Sequence, residues 1–188
     1  MIRQLLAVML LMSCTIPAIR AEDGPQMPAP QKEHEWLKQF VGEWEVESEA
    51  VFGPDMPPVK CKGTESTRQL GGFWILADLT SDVPGQPMSG GMMGQMMVGY
   101  DPKLKKYVGT WACSVDSTLW KYEGAVDAKG TTLTLEADGP DFMDPGKIRK
   151  YRDITEFKDA DHRILTSEML GDDGKWIRFM TAHYHRKK

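Results

Sequence analysis

Asparagine occurs nowhere in this chain of 188 residues. Its absence excludes N-glycosylation, which requires an Asn-x-Ser/Thr acceptor, and any oxyanion hole built on an asparagine amide. Cysteine is scarce: there are three, none in a C-x-x-C pair, and H-E-x-x-H is missing as well, so zinc of the common motif types has no support. No G-x-S-x-G occurs, and Ser89-Gly90-Gly91 has no histidine near it in sequence, which leaves a serine hydrolase without its base. The glycine-rich GGMMG at 90–94 lacks the lysine and following helix of a phosphate cradle. No apolar run approaches the roughly 20 residues that cross a bilayer.

What is present begins with MIRQLLAVMLLMSCTIPAIRA. One arginine, an apolar run from Leu5 to Met12 and small residues up to Ala21 read as a secretory signal peptide over residues 1–21. A rival reading takes Leu11-Met12-Ser13-Cys14 as a lipobox with Cys14 acylated, which would make the protein a membrane-anchored lipoprotein. Either way the expectation is export, to the periplasm or beyond. Cleavage after Ala21 removes two of the 23 basic residues and none of the 27 acids, moving the net charge from −4 to −6 and disfavouring a nucleic-acid partner. Cys61 and Cys113 are then an even pair in an oxidising compartment. They lie far apart in sequence, and a disulfide between them, which needs Cα atoms within about 7 Å, is neither required nor excluded.

Residues 22–31, EDGPQMPAPQ, are a proline-rich polar tether, and one domain is expected over 32–188. In HEWLKQFVGEW, Trp36, Leu37, Phe40 and Val41 share a helical face and Gly42 supplies a stop, which predicts one short amphipathic helix. From Glu43 the period changes to two: Glu43, Glu45, Glu47 and Glu49 alternate with Trp44, Val46, Ser48 and Ala50, a strand with acids in water and the other face on a core. Turn chemistry then recurs at short intervals, at 52–55, 84–85, 101–102, 127–130, 144–146, 159–161 and 171–174. It delimits about ten strands, near 43–52, 60–69, 72–81, 91–100, 105–114, 118–126, 131–138, 147–157, 162–170 and 175–186. Without a second helix there can be no parallel crossovers. An all-β, antiparallel up-and-down barrel satisfies the pattern best, because closure removes the edges of so long a meander.

The motif Gly42-Glu43-Trp44 after a helix, with an arginine at the end of the last strand, resembles the lipocalin and wider calycin pattern. There the tryptophan closes one barrel end beneath a basic side chain; Arg186 is the candidate partner, with Arg178 second. A closer likeness spans residues 34 to 186. His34-Glu35-Trp36-Leu37, Val41-Gly42-Glu43-Trp44, Arg68-Gln69-Leu70-Gly71-Gly72, Gly99-Tyr100-Asp101, Tyr107-Val108-Gly109-Thr110-Trp111 and Glu123-Gly124 together resemble the bacterial domain of unknown function 1579 family. The resemblance implies a lipocalin-like fold and an exported protein, and lends no catalytic residues. The methionine-rich GMMGQMM at 91–97 and the closing His183-x-His185 depart from the family pattern.

If the fourth and fifth strands form a hairpin looped at 101–104, residues whose numbers sum to 205 pair, placing Met96 opposite Gly109, Gly94 opposite Trp111 and Met92 opposite Cys113. Each adjacent methionine pair is thereby split between the two faces. Met92, Met96 and Cys113 are left inside beside Trp111, either as soft donors suited to Cu(I) or as adaptable apolar fillers. His183 and His185 share a strand face, a spacing that suits a metal or haem iron if a third group converges. The functional expectation is a binding module whose barrel holds a small apolar or amphiphilic ligand. Its expected lining is Trp44, Val46, Phe73, Ile75, Leu79, Met92, Met96, Tyr107 and Trp111, the third strand being oriented by keeping Asp78 outside. A Cu(I) or haem binder is the alternative. An enzyme on the same barrel would instead need a perturbed carboxylate in the cavity, such as Asp78 or Asp116.

Overall fold

The computed structural model describes residues 27–51, 53, 56–82 and 91–188. The leader with Cys14, residues 22–26 of the tether, most of the 52–55 turn, Pro84-Gly85 and Ser89-Gly90 lie outside the described residues. A helix α1 (Lys32–Trp36) runs directly into a 3-10 turn (Leu37–Phe40). Ten strands follow: β1 (Gly42–Ala50), β2 (Val59–Leu70), β3 (Trp74–Ser81), β4 (Met92–Asp101), β5 (Lys106–Cys113), β6 (Asp116–Val126), β7 (Thr132–Pro140), β8 (Ile148–Phe157), β9 (His162–Leu170) and β10 (Trp176–Arg186). Each pairs antiparallel with its neighbours in sequence, and β1 pairs with β10, so the sheet is a closed up-and-down barrel. No helix among the described residues is long and apolar enough to cross a membrane.

Alternation decides what faces in. On β1, Trp44, Val46 and Ala50 are buried while Glu43, Glu45, Glu47 and Glu49 are exposed. Lysines of β2 meet the acids, Lys62 reaching Glu47 at 2.7 Å and Lys60 reaching Glu49 at 3.4 Å. These exposed pairs contribute little to stability, but they keep the outer face soluble. On β3 the inward residues are Ile75, Ala77, Leu79 and Ser81, and Asp78 points outward to accept a hydrogen bond from Gln95 at 2.8 Å. Ile75, Ala77 and Leu79 face inward as the choice of face predicted, Phe73 does not, and Asp78 is removed from the interior.

Two expectations are corrected. The strand foreseen at 72–81 starts at Trp74, because Leu70 pairs with Trp74 and Gly71, at φ +61°, turns the chain between them. Phe73 therefore belongs to the turn. The β4–β5 hairpin pairs residues whose numbers sum to 207 rather than 205: Met96 faces Trp111, Val98 faces Gly109, and Gly94 faces Cys113. The cause is local. Asp101 stays in the strand opposite Lys106, its carboxylate accepts the N–H groups of Lys103 (2.7 Å) and Leu104 (3.1 Å), and Lys105 takes the left-handed conformation at φ +54° to close the loop. A slip of two keeps every side chain on its own face. Met92 and Met96 remain inside, and Met93 is exposed outside.

Candidate functional site: a barrel cavity with one plugged end

One end of the barrel is filled by the N-terminal helix and turn. Trp44 is fully buried there, and its indole N–H donates to the Phe40 carbonyl at 2.8 Å, joining β1 to the turn that covers it. Arg186 lies over its ring at 4.1 Å and donates to the carbonyls of Val41 (2.6 Å) and Gln39 (3.1 Å). This satisfies carbonyls that the short 3-10 turn leaves without partners. Gly42, at φ +133°, is required at this point, since a side chain there would run into the Arg186 guanidinium. Arg178, the second arginine considered for this role, is on the outer face, 3.8 Å from Glu168.

Tyr107 also belongs to the plug. It is buried against Trp36 and Tyr100 at 5.7 and 5.2 Å, and its hydroxyl donates to the Glu33 carbonyl. His34 is buried between Phe73 and Tyr100. Its Nδ1 accepts the Gln31 N–H at 2.8 Å, which leaves Nε2 to carry the proton and donate to the Tyr100 carbonyl at 3.2 Å. Trp44, Phe73 and Tyr107, all expected to line the cavity, are thus packing residues of the closed end rather than its walls. The sequence alone could not separate these roles, because inward parity is the same along the whole length of a strand.

Beyond the plug lies a cavity of about 340 Å3. Val46, Ile75, Leu79, Met92, Met96 and Trp111 line it, together with Cys113 and Met180. A side chain at Gly94 would overlap the Trp111 ring, so the glycine gives that ring its room. Trp120, Phe142, Tyr151 and Phe179 narrow the other end, with ring centres 5.0 to 6.1 Å apart. Met92, Met96 and Cys113 share the cavity, yet no two of them are directly opposite across a strand pair. Cys61 and Cys113 are free thiols, and burial, then the charge of Asp82, pushes the Cys61 thiol up.

The cavity floor is polar, which the sequence reading did not anticipate. Arg163 is 2% exposed and forms a 2.5 Å ion pair with Glu65, which also accepts from Thr67 at 2.7 Å. Its guanidinium sits over Tyr184 at 3.7 Å, Trp44 at 4.8 Å and Phe40 at 5.0 Å, while its Nε is buried without an acceptor among the described residues. Nearby, Asp153 accepts from Tyr122 and Ser167, both at 2.5 Å. Its free surface faces the cavity it lines, so enclosure pushes its carboxyl up despite the opposing hydrogen bonds from Ser167 and Tyr122. Burial, reinforced by the Asp153 charge, holds the Tyr122 phenol up, keeping it a donor. Asp116 is exposed at the cavity rim. Burial would raise it, but hydrogen bonds from Thr118 and Trp120 prevail and it ends lowered. The enclosed, perturbed carboxylate is therefore Asp153, with Asp78 outside the barrel.

On the outer surface, His162 opens β9 directly opposite His185 of β10, and His183 follows on the same face. A third imidazole thus joins the two noted in the sequence. The donor nitrogens of all three lie within 4.8 Å of one another. Partial burial, followed by the charges of His185 and His183, pushes the His162 ring down.

These features define a class: a closed antiparallel barrel of calycin type, plugged at one end by an N-terminal helix and hollow beyond it. Residues 29–186 match the model of a family described as "Protein of unknown function (DUF1579)", and the chain belongs to that family. Among solved structures, Rv2717c from M. tuberculosis is similar at 10% identity with a TM-score of 0.59, the match covering 85% of this chain and all of that one. The S-type phycobiliprotein lyase CPES from Guillardia theta is similar at 14% identity and a TM-score of 0.56, covering 85% of this chain and 99% of that one. At these identities the likeness concerns the fold. No curated protein matches the sequence.

Proposed function

We propose that the protein is an exported binding protein that holds one small amphiphilic molecule in its barrel. The observation that carries this reading is the cavity with apolar walls, open at its rim, and a buried arginine in its floor whose Nε has no acceptor among the described residues. A volume of about 340 Å3 is at the lower end of small-molecule sites. Leu79, Met92, Met96 and Trp111 would cover the apolar body of the ligand. Its acceptor group, a carboxylate or carbonyl, would turn towards Arg163, since a buried donor without a partner costs free energy that such a group recovers. Methionine suits walls of this kind because its unbranched thioether adapts to an irregular ligand. Export rests on the leader, and N-terminal sequencing with mass measurement of the mature chain distinguishes cleavage after Ala21 from acylation at Cys14.

Native mass spectrometry of protein purified under mild conditions tests the binding reading, followed by solvent extraction of whatever mass is retained. Met96→Trp fills the cavity. Wild type is expected to retain a small organic molecule, or to bind an anionic fluorescent amphiphile such as anilinonaphthalene sulfonate, and Met96→Trp to lose it. Equal binding by wild type and Met96→Trp would remove the cavity from the explanation.

A further inference from the structure

We propose that His162, His183 and His185 form a binding site on the outer wall of the barrel for a borderline divalent transition metal, Zn2+ or Cu2+. The site is made by the pairing of β9 with β10. His162 and His185 are direct partners, and His183 lies two residues along on the same face. Nε2 of His162 is 3.2 Å from Nδ1 of His183. Two imidazole ligands on one tetrahedral Zn2+, with Zn–N bonds of about 2.0–2.1 Å, have nitrogens about 3.3 Å apart. The metal-free pair therefore stands at nearly the spacing a shared ion requires, held by a hydrogen bond that the ion would replace. The three ring planes agree within 16°, and the centroids of His162 and His185 are 4.5 Å apart. Stacked rings hold their in-plane lone pairs in parallel planes, so binding requires the imidazoles to turn out of the stack, starting from donor atoms that already lie within 4.8 Å of one another.

The surroundings favour a cation. Across the β1–β10 pair, Glu45 faces His185 and Glu47 faces His183. Glu47 is engaged by Lys62, which leaves Glu45 as the carboxylate placed to hydrogen-bond a metal-bound water or an outer imidazole N–H. Three imidazoles without thiolate select Zn2+, Cu2+ or Ni2+ over Ca2+ or Mg2+. The fourth position faces solvent, since His183 and His185 are exposed. This site is separate from the barrel interior, so its fate does not depend on the ligand proposed for the cavity.

The test is isothermal titration calorimetry of the purified chain without a histidine tag, using zinc sulfate and copper sulfate, with His162→Gln, His183→Gln and His185→Gln as variants. Expected are one ion per chain, micromolar affinity or better, and a loss of at least about tenfold in each variant, no less than removal of a mere supporting partner costs. Electron paramagnetic resonance of the copper-loaded wild type, which needs no variant to fold, should show nitrogen coupling from more than one imidazole. Affinity weaker than millimolar, one ion shared between two chains, oxygen-only coordination, or affinity unchanged in His162→Gln would each overturn the proposal.

Discussion

The two ends of the barrel are built from the same ten strands and do opposite things with their interior. At the helix end, Trp36, Phe40, Tyr100, Tyr107 and Phe157 fill the space edge to face, and two arginines lie over the buried Trp44. At the other end, inward methionines, Leu79 and Trp111 stand back from a cavity. Packing of this density stabilises, and a void forfeits contacts. The filled end therefore holds the fold together, while the hollow end is free to accommodate a guest. Arg163 belongs to both, stacked on the aromatic plug and forming part of the cavity floor.

That division is open to test by substitution. The largest loss should come from Arg163→Ala, which leaves Glu65 buried without its cation. About 3–5 kcal/mol is expected in urea unfolding, most of it regained in the double variant Arg163→Met with Glu65→Leu. Arg186→Ala removes the contact over Trp44 and the bonds to Val41 and Gln39, and should cost about 1–3 kcal/mol by the same measurement. Met96→Trp should shift stability by less than about 1 kcal/mol, because the new ring enters existing space, while abolishing retention of the cavity ligand. A large loss of stability in that variant, with binding intact, would erase the contrast between the ends.

Asp153→Asn should show the smallest effect, opposite in sign and dependent on pH. Enclosure raises the folded-state carboxyl above its ordinary 3.8. Wild type is then penalised once pH exceeds that unfolded value, since ionisation is easier in the unfolded chain. The asparagine variant carries no such penalty. Its advantage should grow as pH rises from 3 to 7 and vanish below the ordinary carboxylate range, as read from thermal melts across that span.

Strand limits were legible in the sequence to within about two residues, because most reversals carry their own glycine, proline or aspartate, the β5–β6 turn at Ser114-Val115 being an exception. The inward face of β3 was legible too, since one alternative exposed Asp78 to the core. The register of β4 on β5 was not, because the turn closes on Lys105 in a left-handed conformation, and lysine announces no such turn. The polar floor was hidden for a different reason. In TESTRQ both faces are polar, so alternation cannot say that Glu65 and Thr67 point inward, and nothing links them to Arg163, 98 residues away. A signal existed for Asp153, which shares parity with Tyr151 and Phe157 on β8.

By itself the sequence determined the all-β class, the single helix and the strand count, because period and turn chemistry are local properties. The family resemblance offered Arg186 ahead of Arg178 over Trp44, and the pairing of β1 with β10 decided for Arg186. The tertiary structure alone decided where inward residues become plug, wall or polar floor, because that depends on depth along the barrel, which no periodicity encodes. It also decided the histidine cluster. A register shift between Arg178 and Met180 brings His162 opposite His185. A slip of one residue would have set it against Tyr184 on the inner face, since side chains along a strand alternate between inside and outside.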